Sequence, residues 1–140
     1  MNMKTELQST IEALVQKGKG ILAADESNPT IAKRFKPIAL ESTPASRREW
    51  RNLLLSTPGL GDYISGVILF EETLTQESDD GISLAQLAEK QGIVPGIKVD
   101  KGTIPLVNAP GDLITQGLDG LADRLKIYKD QGARFAKWRE

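Results

Sequence analysis

The sequence contains no cysteine and no histidine. Their absence removes disulfide bonds, thiol nucleophiles, imidazole bases and the usual zinc ligands from the chemistry available to the chain. Magnesium held by carboxylates alone stays open in principle, but no acidic cluster points to it. We therefore expect neither a metal nor a cofactor, and catalysis, if any, must rest on lysine, arginine, carboxylates and hydroxyls.

The sequence also lacks a long apolar run and an excess of charge of either sign. Its 18 basic and 19 acidic residues give a net charge of -1 and are mixed along the chain, so nothing indicates a surface for nucleic acid or an anionic membrane. No stretch approaches the roughly 18 apolar residues that cross a bilayer. The amino terminus, Met1 to Glu6, is polar and unlike a signal sequence. We expect a cytoplasmic protein that binds neither nucleic acid nor membrane.

Short apolar segments alternate with segments of helical periodicity. Strands are predicted at residues 21–24, 67–70, 93–99 and 134–139, after a first helix within residues 5–17. Asn28 before Pro29, and Thr43 before Pro44, have the form of an N-cap followed by proline at the first helical position. Ser83 with Gln86 has the form of a capping box. The segments 56–62 and 101–117, rich in Gly and Pro, read as loops. This alternation predicts an α/β fold, a parallel sheet with helical crossovers, in one domain over residues 1–140.

The predicted helix that begins at Thr43-Pro44 carries its apolar residues on one side. Trp50, Leu53 and Leu54 are predicted to face the core, with the arginines of the same segment, Arg47, Arg48 and Arg51, turned elsewhere.

Charged residues follow or end three of the predicted strands. Asp25 comes directly after the first strand, and Lys98 and Lys137 lie on the third and fourth. Alternation along a strand puts Lys98 with Asp100 on one face, and Lys137 with Arg139. If these faces look into a barrel, one carboxylate lies among several cations, and Asp25 is the expected partner of Lys137. A purely structural ion pair, or solvated lysines, are the alternatives.

Five ordered motifs resemble those of class I fructose-1,6-bisphosphate aldolases. They occupy residues 18–27 (Gly-Lys-Gly-Ile-Leu-Ala-Ala-Asp-Glu-Ser), 66–74, 96–102, 115–121 and 135–139 (Phe-Ala-Lys-Trp-Arg). The resemblance implies a TIM (β/α)8 barrel, which needs about 250 residues when complete. The chain of 140 residues would then be the N-terminal half of that barrel, truncated after its fourth strand.

The resemblance also implies a reaction, the reversible cleavage of fructose 1,6-bisphosphate to dihydroxyacetone phosphate and glyceraldehyde 3-phosphate in glycolysis through a lysine Schiff base. It assigns catalytic roles to Asp25 and Lys137. It assigns substrate binding to four further residues, Lys33, Arg34, Lys98 and Arg139. Lys33 and Arg34 would bind a sugar phosphate near a helix start, where backbone donors add to their charge.

The family's paired glutamates and its Schiff-base lysine belong to the fifth and sixth strands, which this sequence does not contain. We therefore expect the isolated chain to be inactive. One departure, Asn28-Pro29 where many relatives have Thr-Gly, alters a turn rather than the charged site. Glu26 is expected to support the site, while Glu71, Glu72, Asp119 and the Arg47-Arg48 pair are expected to be structural.

Two further functions remain open, a non-catalytic half-barrel that acts by association and a module that only binds sugar phosphate. A four-stranded parallel sheet would leave two open edges and uncovered apolar faces. We therefore expect a homo-oligomer of half-barrels, or a complex with a complementary C-terminal half, as the form that covers them.

Overall fold

The computed structural model describes residues 3–139, which form a parallel sheet with helices between its strands. The helices are α1 (Met3–Leu14), α2 (Asn28–Phe35), α3 (Pro44–Ser56), α4 (Glu71–Leu74), α5 (Leu84–Lys90) and α6 (Leu121–Asp130). The strands are β1 (Gly20–Ala24), β2 (Ile64–Leu69), β3 (Val94–Lys98), β4 (Thr103–Pro105), β5 (Leu113–Thr115) and β6 (Phe135–Lys137). Single 3₁₀ turns occupy Lys36–Ile38 and Leu60–Asp62. No helix within residues 3–139 is both long and apolar enough to cross a membrane.

The main sheet has four strands in the order β1-β2-β3-β6, and every neighbouring pair is parallel. Each connection between neighbours contains helix, so the predicted parallel α/β sheet with helical crossovers is confirmed. Because all strands run in one direction, their carboxyl ends share one edge of the sheet. This edge carries Asp25, Lys98 and Lys137, at or directly after the ends of β1, β3 and β6.

Most predicted helix starts are present. Thr43 caps α3 through a capping box with Ser46, and the Ser83 hydroxyl accepts a hydrogen bond of 3.2 Å from the Gln86 amide at the start of α5. The prediction for α2 was wrong by one residue. Ser27, not Asn28, is its N-cap, and Asn28 and Pro29 already lie in the first turn. Proline fits there because the first turn has no intrahelical partner for a backbone N–H.

The prediction of a loop over residues 101–117 was wrong. This segment contains an antiparallel hairpin in which Thr103 pairs with Thr115 and Pro105 with Leu113. Further backbone hydrogen bonds of 2.9 Å, Lys101 to Gln116 and Gln116 to Gly102, tie its base together. The two strands have only three residues each, too few for a recognisable alternation. The fourth strand, predicted over residues 134–139, is shorter in the structure and spans Phe135–Lys137, the residues that pair with β3.

The main core lies between the sheet and its crossover helices. Leu55, Leu69, Leu84 and Ile97 are fully buried there, each at most 1% exposed. On the other face of the sheet, the Phe135 ring and the end of α1 pack against β2 and β3, while Ile21 of β1 stays 50% exposed. A Cβ added at Gly96 would lie 2.4 Å from the Phe135 ring, and one at Gly66 would lie 2.5 Å from the Leu14 side chain. A Cβ at Gly96 would therefore collide with the Phe135 ring, whereas at Gly66 the end of the Leu14 side chain would have to shift.

The face that α3 presents differs from the prediction, and α1 leaves apolar residues exposed. In α3, Arg47, Arg51 and Leu55 are buried while Leu53 is 62% exposed, because the arginines meet carboxylates under the helix. In α1, Leu7 and Ile11 are exposed. They line an apolar groove of about 450 Å³ whose other walls come from α6 and β6, including Leu125, Tyr128, Phe135 and Ala136.

Candidate active site

A cleft of about 340 Å³ lies at the carboxyl edge of the parallel strands. Seven of its ten lining residues are polar or charged, and they come from the end of β3 and from segments that follow the strands of the main sheet, namely Ser27, Pro29, Thr30, Phe70, Glu71, Lys98, Asp100, Lys101, Gly102 and Arg139. Buried polar groups converging at the carboxyl ends of parallel strands are the usual setting of ligand binding in α/β proteins.

Beside this cleft, an ion pair joins the two outermost strands of the sheet. Lys137 Nζ donates a hydrogen bond of 2.7 Å to Asp25 Oδ2, and Asp25 is buried. Strands lie about 4.8 Å apart, so β1 and β6 would be about 14 Å apart in a flat sheet. Direct contact therefore requires the sheet to curve like the wall of a barrel. The pairing expected from the sequence is present.

A second ion pair is buried in the cleft itself. Lys98 Nζ donates to Asp100 Oδ1 at 2.6 Å and to the Asp100 carbonyl at 3.1 Å, and the Gly102 amide donates to the same carboxylate. Burial opposes ionisation of Asp100, but the hydrogen bonds from Lys98 and Gly102 and the charge of Arg139 outweigh it, so the pKa of Asp100 is lowered. The expected picture of one carboxylate among several cations was incomplete, since each lysine has a carboxylate of its own.

Lys33 and Arg34 lie outside the cleft. They occupy the last turn of α2, at the opposite end from its free backbone amides, so the argument that placed them near a helix start was wrong. Lys33 is exposed. The Arg34 side chain, 59% exposed, pairs with Glu26. Arg139 does line the cleft, so Asp25, Lys98, Lys137 and Arg139 meet at one edge of the sheet and the α2 cations stand apart.

The sequence analysis did not assign a site role to the neighbouring Glu71, Lys101 and Tyr128. Glu71 accepts hydrogen bonds of 2.7 Å from both Lys101 and the Tyr128 hydroxyl. The bond from Lys101 lowers the pKa of Glu71, while burial and the bond to Glu71 raise the pKa of Tyr128. The signal available in the sequence was position, because Glu71 and Lys101 follow β2 and β3 directly. Within residues 3–139, no three carboxylates are grouped so that they could hold a metal ion.

The fold is that of a parallel α/β protein, and two lysines at the carboxyl edge of its strands are each paired with a carboxylate. Comparison with known proteins identifies the family. The family model for class-I fructose-bisphosphate aldolase matches residues 6–140. The chain belongs to the class-I fructose-bisphosphate aldolase family.

Its relatives include bacterial, plant and parasite aldolases. A probable fructose-bisphosphate aldolase class 1 of Xanthomonas campestris is 56% identical over 134 residues, which are 96% of this chain and 40% of that protein. The chloroplastic fructose-bisphosphate aldolase 1 of Arabidopsis thaliana is 55% identical, over 96% of this chain and 34% of its own length. The fructose-bisphosphate aldolase of Plasmodium falciparum, crystallised with TRAP and a small-molecule inhibitor, superposes with a TM-score of 0.93 at 55% identity, over 96% of this chain and 39% of that one.

Proposed function

We propose that residues 1–140 form the N-terminal half-barrel of a fructose-bisphosphate aldolase. This enzyme would be an aldehyde-lyase that cleaves fructose 1,6-bisphosphate to dihydroxyacetone phosphate and glyceraldehyde 3-phosphate in the glycolysis of the cytoplasm. The observation that carries the proposal is the ion pair of the buried Asp25 with the half-buried Lys137 at the carboxyl edge of the strands, in a chain that matches the family over residues 6–140. The chain spans about 40% of the length of the bacterial relatives it matches, so the activity is proposed for the complete barrel.

The charges of the site support the catalytic roles of Asp25 and Lys137. Lys137 Nζ donates a hydrogen bond of 2.7 Å to Asp25 Oδ2 beside the cleft, where it could donate a proton or stabilise negative charge. Asp25 would accept the proton of a substrate hydroxyl during carbon–carbon cleavage. Lys98 Nζ is likewise engaged by a carboxylate, that of Asp100. The family resemblance gives neither lysine the Schiff-base role, so that amine would come from the part of the barrel outside this chain.

Substrate binding is proposed for Lys98 and Arg139, which line the cleft with Ser27. Lys33 and Arg34 are proposed to contact the phosphate of the aldehyde-derived end from outside the cleft. The exposed position of both side chains leaves them free to turn toward a phosphate. Arg34 would exchange its carboxylate partner Glu26 for the phosphate in doing so.

A second candidate, association through an incomplete barrel, is favoured by the apolar groove between α1, α6 and β6. The β6 edge has β3 on one side and no further partner among residues 3–139. A second copy of the chain, or a complementary C-terminal half, would cover both the groove and this edge.

The test supplies the missing strands. Residues 1–140 are joined to the C-terminal part of the Xanthomonas campestris relative, and cleavage of fructose 1,6-bisphosphate is measured. We expect activity, and we expect Asp25→Asn and Lys137→Met each to lower kcat by about 10²-fold or more, as for groups that act in the transition state. Matched controls are Asp123→Asn and Lys126→Met, whose side chains are 83% and 77% exposed in a surface pair. A folded but inactive joined protein, or variants at Asp25 and Lys137 that behave like the controls, would refute the proposal.

A further inference from the structure

Two arginines of α3 reach the ends of the first two strands. Arg47 and Arg51 are separated by one helical turn, so both face the sheet. Arg47 binds the Glu72 carboxylate through two hydrogen bonds of 2.8 and 2.7 Å, just after β2. Arg51 meets Glu26, just after β1. The helix thereby holds both strand ends, and only the second contact lies next to a proposed catalytic residue.

The Arg51 contact is buried and has two parts. Its Nη1 lies 2.8 Å from Glu26 Oε2, and its Nη2 donates a hydrogen bond of 3.1 Å to the Glu26 backbone carbonyl. The Arg51 and Glu26 side chains are only 3% and 7% exposed. That carbonyl belongs to the residue directly after Asp25, so the guanidinium fixes the backbone on which the Asp25 side chain is mounted.

We propose that Arg51 is a positioning residue, which holds the Asp25 carboxylate in place for proton transfer by clamping the backbone and side chain of Glu26. The inference rests on the proposed function. The Asp25 carboxylate is held directly by Lys137, and Arg51 acts on the segment that follows, between the end of β1 at Ala24 and the start of α2 at Asn28. Burial lowers the pKa of Arg51, and the nearby charges of Glu26 and Asp25 oppose that shift.

The fork of arginine is required for this task. One planar guanidinium places Nη1 in an ion pair with the Glu26 carboxylate while Nη2 donates a hydrogen bond to the Glu26 carbonyl, at a fixed spacing. A lysine ammonium is a single point on a flexible stem. Arg51→Lys therefore keeps the charge that Glu26 needs and loses the simultaneous grip on the side chain and the carbonyl. A displacement of about 1 Å at a reacting group is enough to cost ~10²-fold in rate.

The experiment uses the joined protein described above. We expect Arg51→Lys to lower kcat at least about 10-fold with KM changed less than about 2-fold. In the Asp25→Asn background we expect Arg51→Lys to have no further effect on kcat, because the group it positions is already gone. Glu26→Gln, which keeps the size of the side chain, serves as a second variant and should show the same dependence on Asp25. The control is Arg48→Lys on the same helix, whose partner Asp79 is 73% exposed.

The inference would be overturned if the losses of kcat in Arg51→Lys and Asp25→Asn simply multiplied in the double variant, or if Arg51→Lys lowered Tm and left kcat unchanged. Arg51 would then have a structural role only. An unsubstituted joined protein without activity would instead refute the proposed function. A second readout in the 140-residue chain needs no activity. The ¹³C carboxyl resonance of Asp25 should respond to Lys137→Met in the unsubstituted chain and in Arg48→Lys, but not in Arg51→Lys. An equal response in all three would also overturn the inference.

Discussion

Removing the lysine of the buried Lys98–Asp100 pair should destabilise the chain strongly. The two side chains are 7% and 0% exposed, and the Lys98 ammonium supplies two of the contacts around Asp100. Lys98→Met leaves a buried carboxylate whose remaining hydrogen bond comes from the Gly102 amide. Breaking a buried pair by removing one partner costs about 3–5 kcal/mol. For a domain of this size that is a fall in Tm of about 10–17 °C.

The pH dependence of stability should change sign in the same variant. In the unsubstituted chain the pKa of Asp100 is lowered. The Lys98–Asp100 pair therefore stabilises the fold fully above the pKa of an unfolded aspartate, about 3.9. This stabilisation is lost as the pH falls through the lower pKa that Asp100 has in the folded state. Without Lys98, burial dominates and raises the pKa of Asp100. Protonation then favours the folded state, so the variant should recover stability as pH falls from 7 toward 5.

Urea unfolding followed by tryptophan fluorescence at fixed protein concentration measures both effects. Trp50 and Trp138 are the reporters. Asp100→Asn added to Lys98→Met should restore much of the loss, because the buried charge is gone. The control Lys126→Met removes a pair that is 77% and 83% exposed and should change the free energy of unfolding by less than about 0.5 kcal/mol. The reasoning would be refuted if Lys98→Met lowered the free energy of unfolding by less than about 1 kcal/mol, or if adding Asp100→Asn recovered none of the lost free energy.

Three further outcomes are expected. Borohydride reduction of the isolated chain with dihydroxyacetone phosphate should give no adduct by mass, because the amines of Lys98 and Lys137 are each engaged by a carboxylate; a stoichiometric adduct on either would contradict this. In the joined protein, Arg34→Ala should mainly raise KM, with Lys90→Ala as an exposed control, and a dominant effect on kcat would show that the role of Arg34 is different. Because the groove between α1, α6 and β6 is apolar, the isolated chain should sediment as a dimer or larger species, with a Tm that rises with protein concentration. A monomer with a concentration-independent Tm would show that the chain is stable with this groove exposed to solvent.

The sequence was sufficient for the main sheet because its strands are short apolar runs buried by helices, as at Val67 and Ile97. The Asp25–Lys137 contact was also predictable, since charges at the ends of buried strands must find partners. The hairpin at Thr103–Pro105 was not predictable, because strands of three residues carry no clear period. The burial of Arg47 and Arg51 was not predicted, because an amphipathic pattern turns arginines away from the core, whereas here the carboxylates of Glu72 and Glu26 receive them.

The contact between β1 and β6 also bears on how the site is assembled during folding. Asp25 and Lys137 are separated by 112 positions in the chain. Closing a loop of that length costs about 4 kcal/mol of chain entropy beyond a constant. During synthesis from the amino terminus, Asp25 leaves the ribosome long before its partner exists, and the carboxylate must remain hydrated until the last strand of the sheet arrives. We therefore expect the ion pair to form late, so that its formation reports the completion of all four strands rather than the collapse of any one of them.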